Sequence, residues 1–161
     1  MTTTTNDTRL HVDPDVPLIR IVREFDAPPA KVFRAHTDPD LFVQWQGPDA
    51  LDGSTVVTWD CRTGGEWRYV STMGDEEFAF HGCFHEVREN ECIVQTFTFE
   101  GFPDGVSLER LELEDLGDGR TRLTATSLVD SFEARDAMVA SGMESGIVEG
   151  YRRLDTLLTT T

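Results

Sequence analysis

The feature that most constrains the fold is a long amphipathic pattern near the end of the chain, over residues 132–158. Its apolar residues recur every three or four positions and fall within an arc of about 120° on a helical projection, the width of a stripe that faces a core. They are Val139, Met143, Ile147, Tyr151, Leu154 and Leu158. The pattern predicts one continuous helix with one buried face.

Three glycines repeat every four residues within this predicted helix, at Gly142, Gly146 and Gly150. A glycine in a helix interior costs about 1 kcal/mol relative to alanine, so the three together cost about 3 kcal/mol. We therefore expect a compensating feature, either a close approach of the helix backbone to a sheet or room for a bulky ligand. On either interpretation, Gly146→Leu disturbs packing against the sheet or blocks a cavity.

The middle of the chain has the two-residue alternation of β-strands, interrupted by turn residues at 64–65 and 117–120. A further strand precedes two short helices, each of which begins near a proline. The predicted strands are 18–25, 55–61, 66–72, 77–87, 91–99, 107–114 and 120–129, and the short helices are 30–35 and 40–45.

Consecutive strands closed by one helix indicate an α+β domain and not a parallel α/β domain. We expect a curved antiparallel sheet of six or seven strands wrapped around the long C-terminal helix, with the two short helices after the first strand. Residues 1–16 are polar and are predicted to be a flexible leader, and residues 17–161 a single domain. A sheet curled around a helix often leaves a concave apolar pocket, where small ligands bind.

The composition is strongly acidic, with 30 acidic and 14 basic residues and a formal net charge of −16. Phosphate groups bind to basic surfaces, so nucleic acids and anionic membrane surfaces are disfavoured as partners. No apolar run approaches the roughly 20 residues that cross a bilayer. Residues 1–7 also lack the basic and apolar regions of a secretory signal. We therefore expect a cytoplasmic protein without membrane insertion.

The cysteines and histidines show no metal-binding spacing. Cys61, Cys83 and Cys92 cannot all pair with one another, and we expect buried free thiols in a cytoplasmic protein. His81 and His85 share a strand face with Cys83, but the chain contains no C-x-x-C motif. Nucleotide-binding fingerprints are absent as well. Neither a metal nor a cofactor is predicted.

Several motifs, in order along the chain, resemble the SRPBCC superfamily in its branch of heat-shock-protein-90 ATPase-activator-like proteins. The sequence TDPDLFVQWQGP at 37–48 is similar to the T-D-P-x-x-x-x-x-W-x-G-P segment of that branch. GGEWRY at 64–69 and FHGCF at 80–84 resemble two of its strands, and residues 135–154 resemble its closing helix. The resemblance runs from about residue 18 to residue 158. It departs at Gln46 and Tyr151, where tryptophan is frequent in the branch.

The resemblance implies a helix-grip fold with a hydrophobic cavity between the sheet and the last helix. It directs attention to the aromatic and apolar residues on the strand and helix faces that would line such a cavity; the alternative is that they only fill the core. The candidates are Trp45, Trp67, Tyr69, Phe80, Phe84, Phe97, Met143, Ile147 and Tyr151.

Three functions are consistent with these features. The first is a carrier or sensor that binds a small hydrophobic ligand, such as a lipid, a polyketide or an isoprenoid. The second is an enzyme of the polyketide cyclase or aromatase kind, for which His81 is the one weak catalytic candidate, because histidine side chains titrate near neutral pH; a solvent-facing histidine is the alternative. The third is a stress-response module that interacts with a chaperone. A homodimer is compatible with each.

Overall fold

The computed structural model describes residues 6–160, which form one antiparallel sheet of eight strands and four helices. The strands are β1 (Arg9–Val12), β2 (Leu18–Phe25), β3 (Gly53–Trp59), β4 (Glu66–Met73), β5 (Glu76–Arg88), β6 (Cys92–Phe99), β7 (Ser107–Gly117) and β8 (Arg120–Leu128). The helices are α1 (Pro29–Thr37), α2 (Pro39–Trp45), α3 (Phe132–Ala140) and α4 (Met143–Thr160). The sheet order is β1-β2-β8-β7-β6-β5-β4-β3.

This arrangement confirms the predicted α+β helix-grip fold. The sheet is curved and unclosed, with β1 and β3 at its two edges. Pairing shifts by one residue in β3 and again in β5, and such bulges bend and twist a strand. Side chains on the inner, concave face are mostly buried beneath the helices, as the alternation along β2 shows: Ile19, Ile21, Arg23 and Phe25 are buried.

The N-terminal region differs from the predicted flexible leader over residues 1–16. Residues 9–12 form β1, which pairs antiparallel with β2 and gives the sheet an eighth strand. This strand has four residues, too few for alternation to identify it by itself. Residues 1–5 of the predicted leader lie outside the described residues.

The single long helix predicted over residues 132–158 is wrong: α3 and α4 are separate. Gly142 lies between them with a φ of +85°, a left-handed conformation that ends helices and that glycine adopts without steric cost. The apolar spacing continues across the break, so periodicity did not reveal it. Gly142 is therefore a helix-terminating residue and carries none of the expected helix-interior cost.

The other two glycines of α4 do not face the sheet, which corrects the expectation for Gly146. A Cβ atom on Gly146 would lie 3.5 Å from Pro48 Cδ, and one on Gly150 would lie 3.0 Å from the carbonyl oxygen of Trp45. Arg153 also donates hydrogen bonds from α4 to the carbonyl oxygens of Trp45 and Gly47. The close approach that compensates for the glycines is therefore to the end of α2 and the segment that follows it.

Two apolar clusters form the core. The main core joins β2, β8 and the helices around Phe25, Leu123, Tyr151 and Leu154, whereas the second cluster lies under β4, β5 and β6. Among the described residues, no helix is long and apolar enough to cross a membrane.

Candidate functional site

A row of polar side chains crosses the concave face of the sheet at its centre. Gln95 on β6 pairs in register with Glu109 on β7, and Glu109 pairs with Ser127 on β8. The next residues in the row are apolar: Phe84 on β5 and Ile19 on β2, both buried. Because paired residues point to the same face, the sheet brings three polar groups together between two apolar ones. We call Gln95, Glu109 and Ser127 the polar row.

Two uncharged donors form hydrogen bonds with the Glu109 carboxyl in the polar row. The hydroxyl of Ser127 donates to Glu109 Oε2 at 2.8 Å, and the Gln95 amide donates to Oε1 at 3.5 Å. These bonds lower the pKa of Glu109, but the burial of the carboxyl has the larger effect and raises that pKa above its usual value. The concave face of the sheet therefore carries a hydrogen-bonded carboxyl that is largely shielded from water, with apolar residues on both sides of the polar row.

Two tyrosines lie within electrostatic reach of Glu109. Burial is the main reason that the pKa of Tyr69, on β4, and the pKa of Tyr151, on α4, are raised. The negative charge of Glu109 raises both further, whereas the positive charge of Arg23 lowers the pKa of Tyr151. Both phenols therefore stay protonated at neutral pH. Tyr151 also packs edge-on against Phe25, with ring centroids 5.3 Å apart.

A continuous aromatic surface adjoins the polar row. Trp67 stacks on Tyr69 with ring centroids 5.6 Å apart, and Phe97 lies 5.6 Å from Trp67. Phe80 lies 5.2 Å from Tyr69 and 5.4 Å from Phe97. Phe84 is buried in the same cluster. Five of the nine predicted cavity residues are thus brought together on one inner wall: Trp67, Tyr69, Phe80, Phe84 and Phe97.

The remaining four predicted cavity residues belong to the main core. Met143, Ile147 and Tyr151 pack from α4 onto this core, and the two aliphatic side chains remain half-buried. Trp45 is held more tightly: its indole N–H donates to the carbonyl of Ala35 at 2.9 Å, and its ring contacts those of His36 and Phe42. Trp45 therefore joins the helices to one another.

His81 lies on the opposite, convex face of the sheet. Its side chain is exposed, and Nδ1 lies 3.1 Å from a carboxylate oxygen of Glu100, which also binds Arg68 at 2.7 Å. These contacts lower the pKa of Glu100, chiefly through the hydrogen bond from Arg68. The structure thus places His81 in a surface cluster and not beside the polar row.

The sequence reasoning missed all three members of the polar row, Gln95, Glu109 and Ser127, as candidate site residues. A signal existed for Glu109, because alternation along β7 puts it on the same face as Leu111 and Leu113, which pack against the core. A glutamate on an apolar strand face is the pattern that would have identified it. No comparable sequence signal identifies Ser127, because its role depends on its pairing with Glu109 on the neighbouring strand β7.

The family model for Activator of Hsp90 ATPase homolog 1-like proteins matches residues 26–159. The chain belongs to this family. It lies within the SRPBCC superfamily, as the motifs indicated. This helix-grip architecture is compatible with hydrophobic ligands.

Solved structures agree with this assignment to the Hsp90-ATPase-activator-like family. Protein Ms6760 from Mycobacterium smegmatis is 29% identical over 96% of this chain and 98% of its own, with a TM-score of 0.84. A protein from Arthrobacter aurescens is 28% identical over 95% of this chain and 92% of its own, with a TM-score of 0.85. A protein from Rhodobacter sphaeroides shares the fold at 24% identity, with a TM-score of 0.86. No curated protein sequence matches the chain.

Two depressions lie on the outer surface of this Hsp90-ATPase-activator-like domain, among residues 6–160. One of about 300 Å³ lies on the outer surface of α4, beside Val148 and Arg152. Another of about 150 Å³ is lined by Asp26, Asp155 and Leu158. In the same range, no group of three or more histidine, cysteine, aspartate or glutamate side chains has the arrangement of a metal site.

Proposed function

We propose that the protein binds a small apolar ligand between the concave face of the sheet and the pair α3–α4, as a carrier or a sensor. The observation that supports this is the half-buried state of the apolar side chains that face this space. Phe80 and Phe97 on the sheet, and Met138, Met143 and Ile147 on the helices, all point inward without being fully buried. A fully packed core would bury them.

Entry of a ligand requires that side chains move aside, and the residues on either side of the break between α3 and α4 favour such movement. Two of the inward-facing residues are methionines, Met138 and Met143, whose unbranched side chains adapt to irregular spaces. The Ser107 hydroxyl on β7 lies 3.9 Å from the sulfur of Met138, which is a weak contact between the sheet and α3. The helix break at Gly142 separates α3 from α4, so α3 can shift while α4 keeps its contacts with α2.

Titration with the neutral fluorophore N-phenyl-1-naphthylamine tests this proposal. We expect saturable binding at one site and a higher melting temperature, because a ligand at 100 times its Kd adds about 2.7 kcal/mol to the stability of the folded state. Ile147→Trp fills the space beneath α4 and should weaken binding about tenfold or more. Val148→Trp is the matched control, since Val148 lies on the outer surface of α4.

Circular dichroism verifies that both variants fold. Two results would overturn the proposal: wild-type protein that does not bind the fluorophore, or Ile147→Trp protein that folds and binds it as wild type does.

A second candidate is an interaction with a chaperone of the Hsp90 type, in line with the description of the family. An exposed apolar group near the start of α3 supports it: Val16 is 43% exposed and Phe132 is 44% exposed. Arg135 joins the two, because its guanidinium donates to the Val16 carbonyl and lies over the Phe132 ring. Apolar side chains grouped on a surface are typical of protein interaction sites.

Sedimentation of the purified protein with purified Hsp90, together with the Hsp90 ATPase rate, tests this second candidate. Phe132→Ser should weaken the complex, whereas Val57→Ser, at an exposed apolar residue of β3, should not. The absence of a complex with the wild-type protein would exclude it.

A further inference from the structure

The polar row restricts the chemistry of a ligand that binds beneath α3 and α4. Glu109 accepts hydrogen bonds from Ser127 and Gln95, but a carboxylate has about four acceptor positions, so capacity remains for a ligand. Its two partners are neutral, and nothing in these bonds compensates its negative charge. A half-buried carboxylate of this kind, with few water molecules around it, gains from an additional donor.

We infer that Glu109 is a head-group site: it binds the hydroxyl or amino group of an otherwise apolar ligand and rejects ligands that end in a carboxylate. This inference rests on the function proposed above. The row is one residue wide in each strand and is bounded by Phe84 and Ile19, so it suits a single small polar group. The aromatic surface of Trp67, Tyr69 and Phe97 beside it suits the apolar body of the ligand.

The negative charge of Glu109 makes the site selective. A hydroxyl or an ammonium group donates to the carboxylate, whereas a fatty acid would place a second carboxylate against it. Two like charges in a partly desolvated site repel each other strongly. Phospholipids and fatty acids are thus disfavoured, and alcohols and amines are favoured.

Competition against bound N-phenyl-1-naphthylamine tests the inference with four probes of the same chain length: decan-1-ol, decan-1-amine, decanoate and methyl decanoate. At pH 8, we expect the alcohol or the amine to bind about tenfold more tightly than the methyl ester, the value of one hydrogen bond to a charged group. Decanoate should bind most weakly. A preference for the amine alone assigns the head group as cationic, and equal binding of alcohol and amine assigns it as a neutral donor; both support the site.

Glu109→Gln keeps the shape of the side chain and removes its charge. In this variant, we expect the advantage of the amine to fall about tenfold and decanoate to bind at least as tightly as the methyl ester. Glu112→Gln is the matched control, because Glu112 lies exposed on the same strand and should leave the order of the probes unchanged. A folding defect would weaken all four probes together and would not reverse their order.

The outcomes separate this inference from the function on which it rests. If wild-type protein binds neither the fluorophore nor any probe, both are overturned. If it binds the fluorophore but does not discriminate between head groups, or if Glu109→Gln retains the wild-type order, only the head-group site is overturned.

Discussion

The indole Nε1–H of Trp45 donates a hydrogen bond to the carbonyl oxygen of Ala35 at 2.9 Å, and this bond completes the end of α1. In a continuing helix that carbonyl would accept from the backbone four residues later, but residue 39 is a proline and has no N–H. Trp45 at the end of α2 provides the missing donor. The side chain that sequence reasoning placed in the cavity is thus a structural link between two helices.

We therefore expect Trp45→Phe to be more destabilising than Trp67→Phe. The two indoles are similarly buried, with 7% and 3% exposed, but Trp67 Nε1 has no hydrogen-bond partner in the described part of the chain. Only the Trp45 variant leaves a carbonyl unpaired, which should lower the free energy of unfolding by about 1–3 kcal/mol more. Urea unfolding measures both, and equal losses would contradict the structural role of Trp45.

The contact between α4 and β2 depends on an ion pair. Arg23, on the concave face, donates to both carboxylate oxygens of Asp155, at 2.9 and 2.6 Å. The arginine side chain is only 4% exposed, so Asp155→Asn leaves a buried charge without its partner. We expect a loss of about 2 kcal/mol in the free energy of unfolding, less than for a fully buried pair, since Asp155 is partly exposed.

The control for this ion pair is Glu86→Gln, which removes an exposed pair with Arg88. It should change the free energy of unfolding by less than about 1 kcal/mol. A comparable loss in the two variants would show that the Arg23–Asp155 pair has no special role.

Alanine substitutions at Gly146 and Gly150 should have opposite effects. A Cβ atom at Gly146 meets Pro48 at an ordinary contact distance, so Gly146→Ala gains helix propensity and should stabilise the protein by about 0.5–1 kcal/mol. At Gly150, the new atom would press against the backbone of Trp45 and Gly47, at 3.0 and 3.4 Å. We expect Gly150→Ala to be destabilising by about 1 kcal/mol. The denaturation midpoints of the two variants measure both effects. Stabilisation in both variants would contradict the close approach of α4 to the backbone of Trp45 and Gly47.

His36 should make the stability of the fold depend on pH. Burial of its ring lowers the pKa of His36 from 6.5 to about 4, because the charged form is poorly solvated there. Between these values the unfolded chain binds a proton that the folded chain does not. Stability is therefore complete above pH 6.5 and is lost as the pH falls toward 4. The raised pKa of Glu109 acts in the opposite direction, since its contribution is lost as the pH rises.

His36→Phe keeps an aromatic ring beside Trp45, 4.8 Å away, and removes this titration. Between pH 7 and pH 5, we expect the wild type to lose about 2 kcal/mol of unfolding free energy relative to the variant. Urea unfolding at both pH values measures the difference, and parallel pH profiles would mean that the imidazole titrates normally.

Strand β5 illustrates how much of the fold could be predicted. Its alternation placed Phe80 and Phe84 on one face and His81 on the other, and in the structure Phe84 is buried and His81 is exposed. Successive residues of a strand point to opposite faces whatever the rest of the chain does. The face on which each strand residue lies could therefore be predicted, and so could the aromatic surface, because its residues share one face of the sheet.

The errors have physical causes as well. Periodicity does not reveal the break at Gly142, because an apolar stripe can continue across two helices that pack on the same core. The four-residue strand β1 has too short a pattern and depends on its pairing with β2. In both cases tertiary contacts outweigh a local signal that is weak or absent.

By itself, the sequence determined the family, the fold class and the faces of the strands, because these follow from motifs and from local periodicity. Only the tertiary structure decided that Gln95, Glu109 and Ser127 form one row, since the row depends on the register in which three consecutive strands pair. It also decided that His81 faces away from that row. The alternation of β7 puts Glu109 on the inner face, but how far its carboxyl is withdrawn from solvent depends on the elements that cover that face.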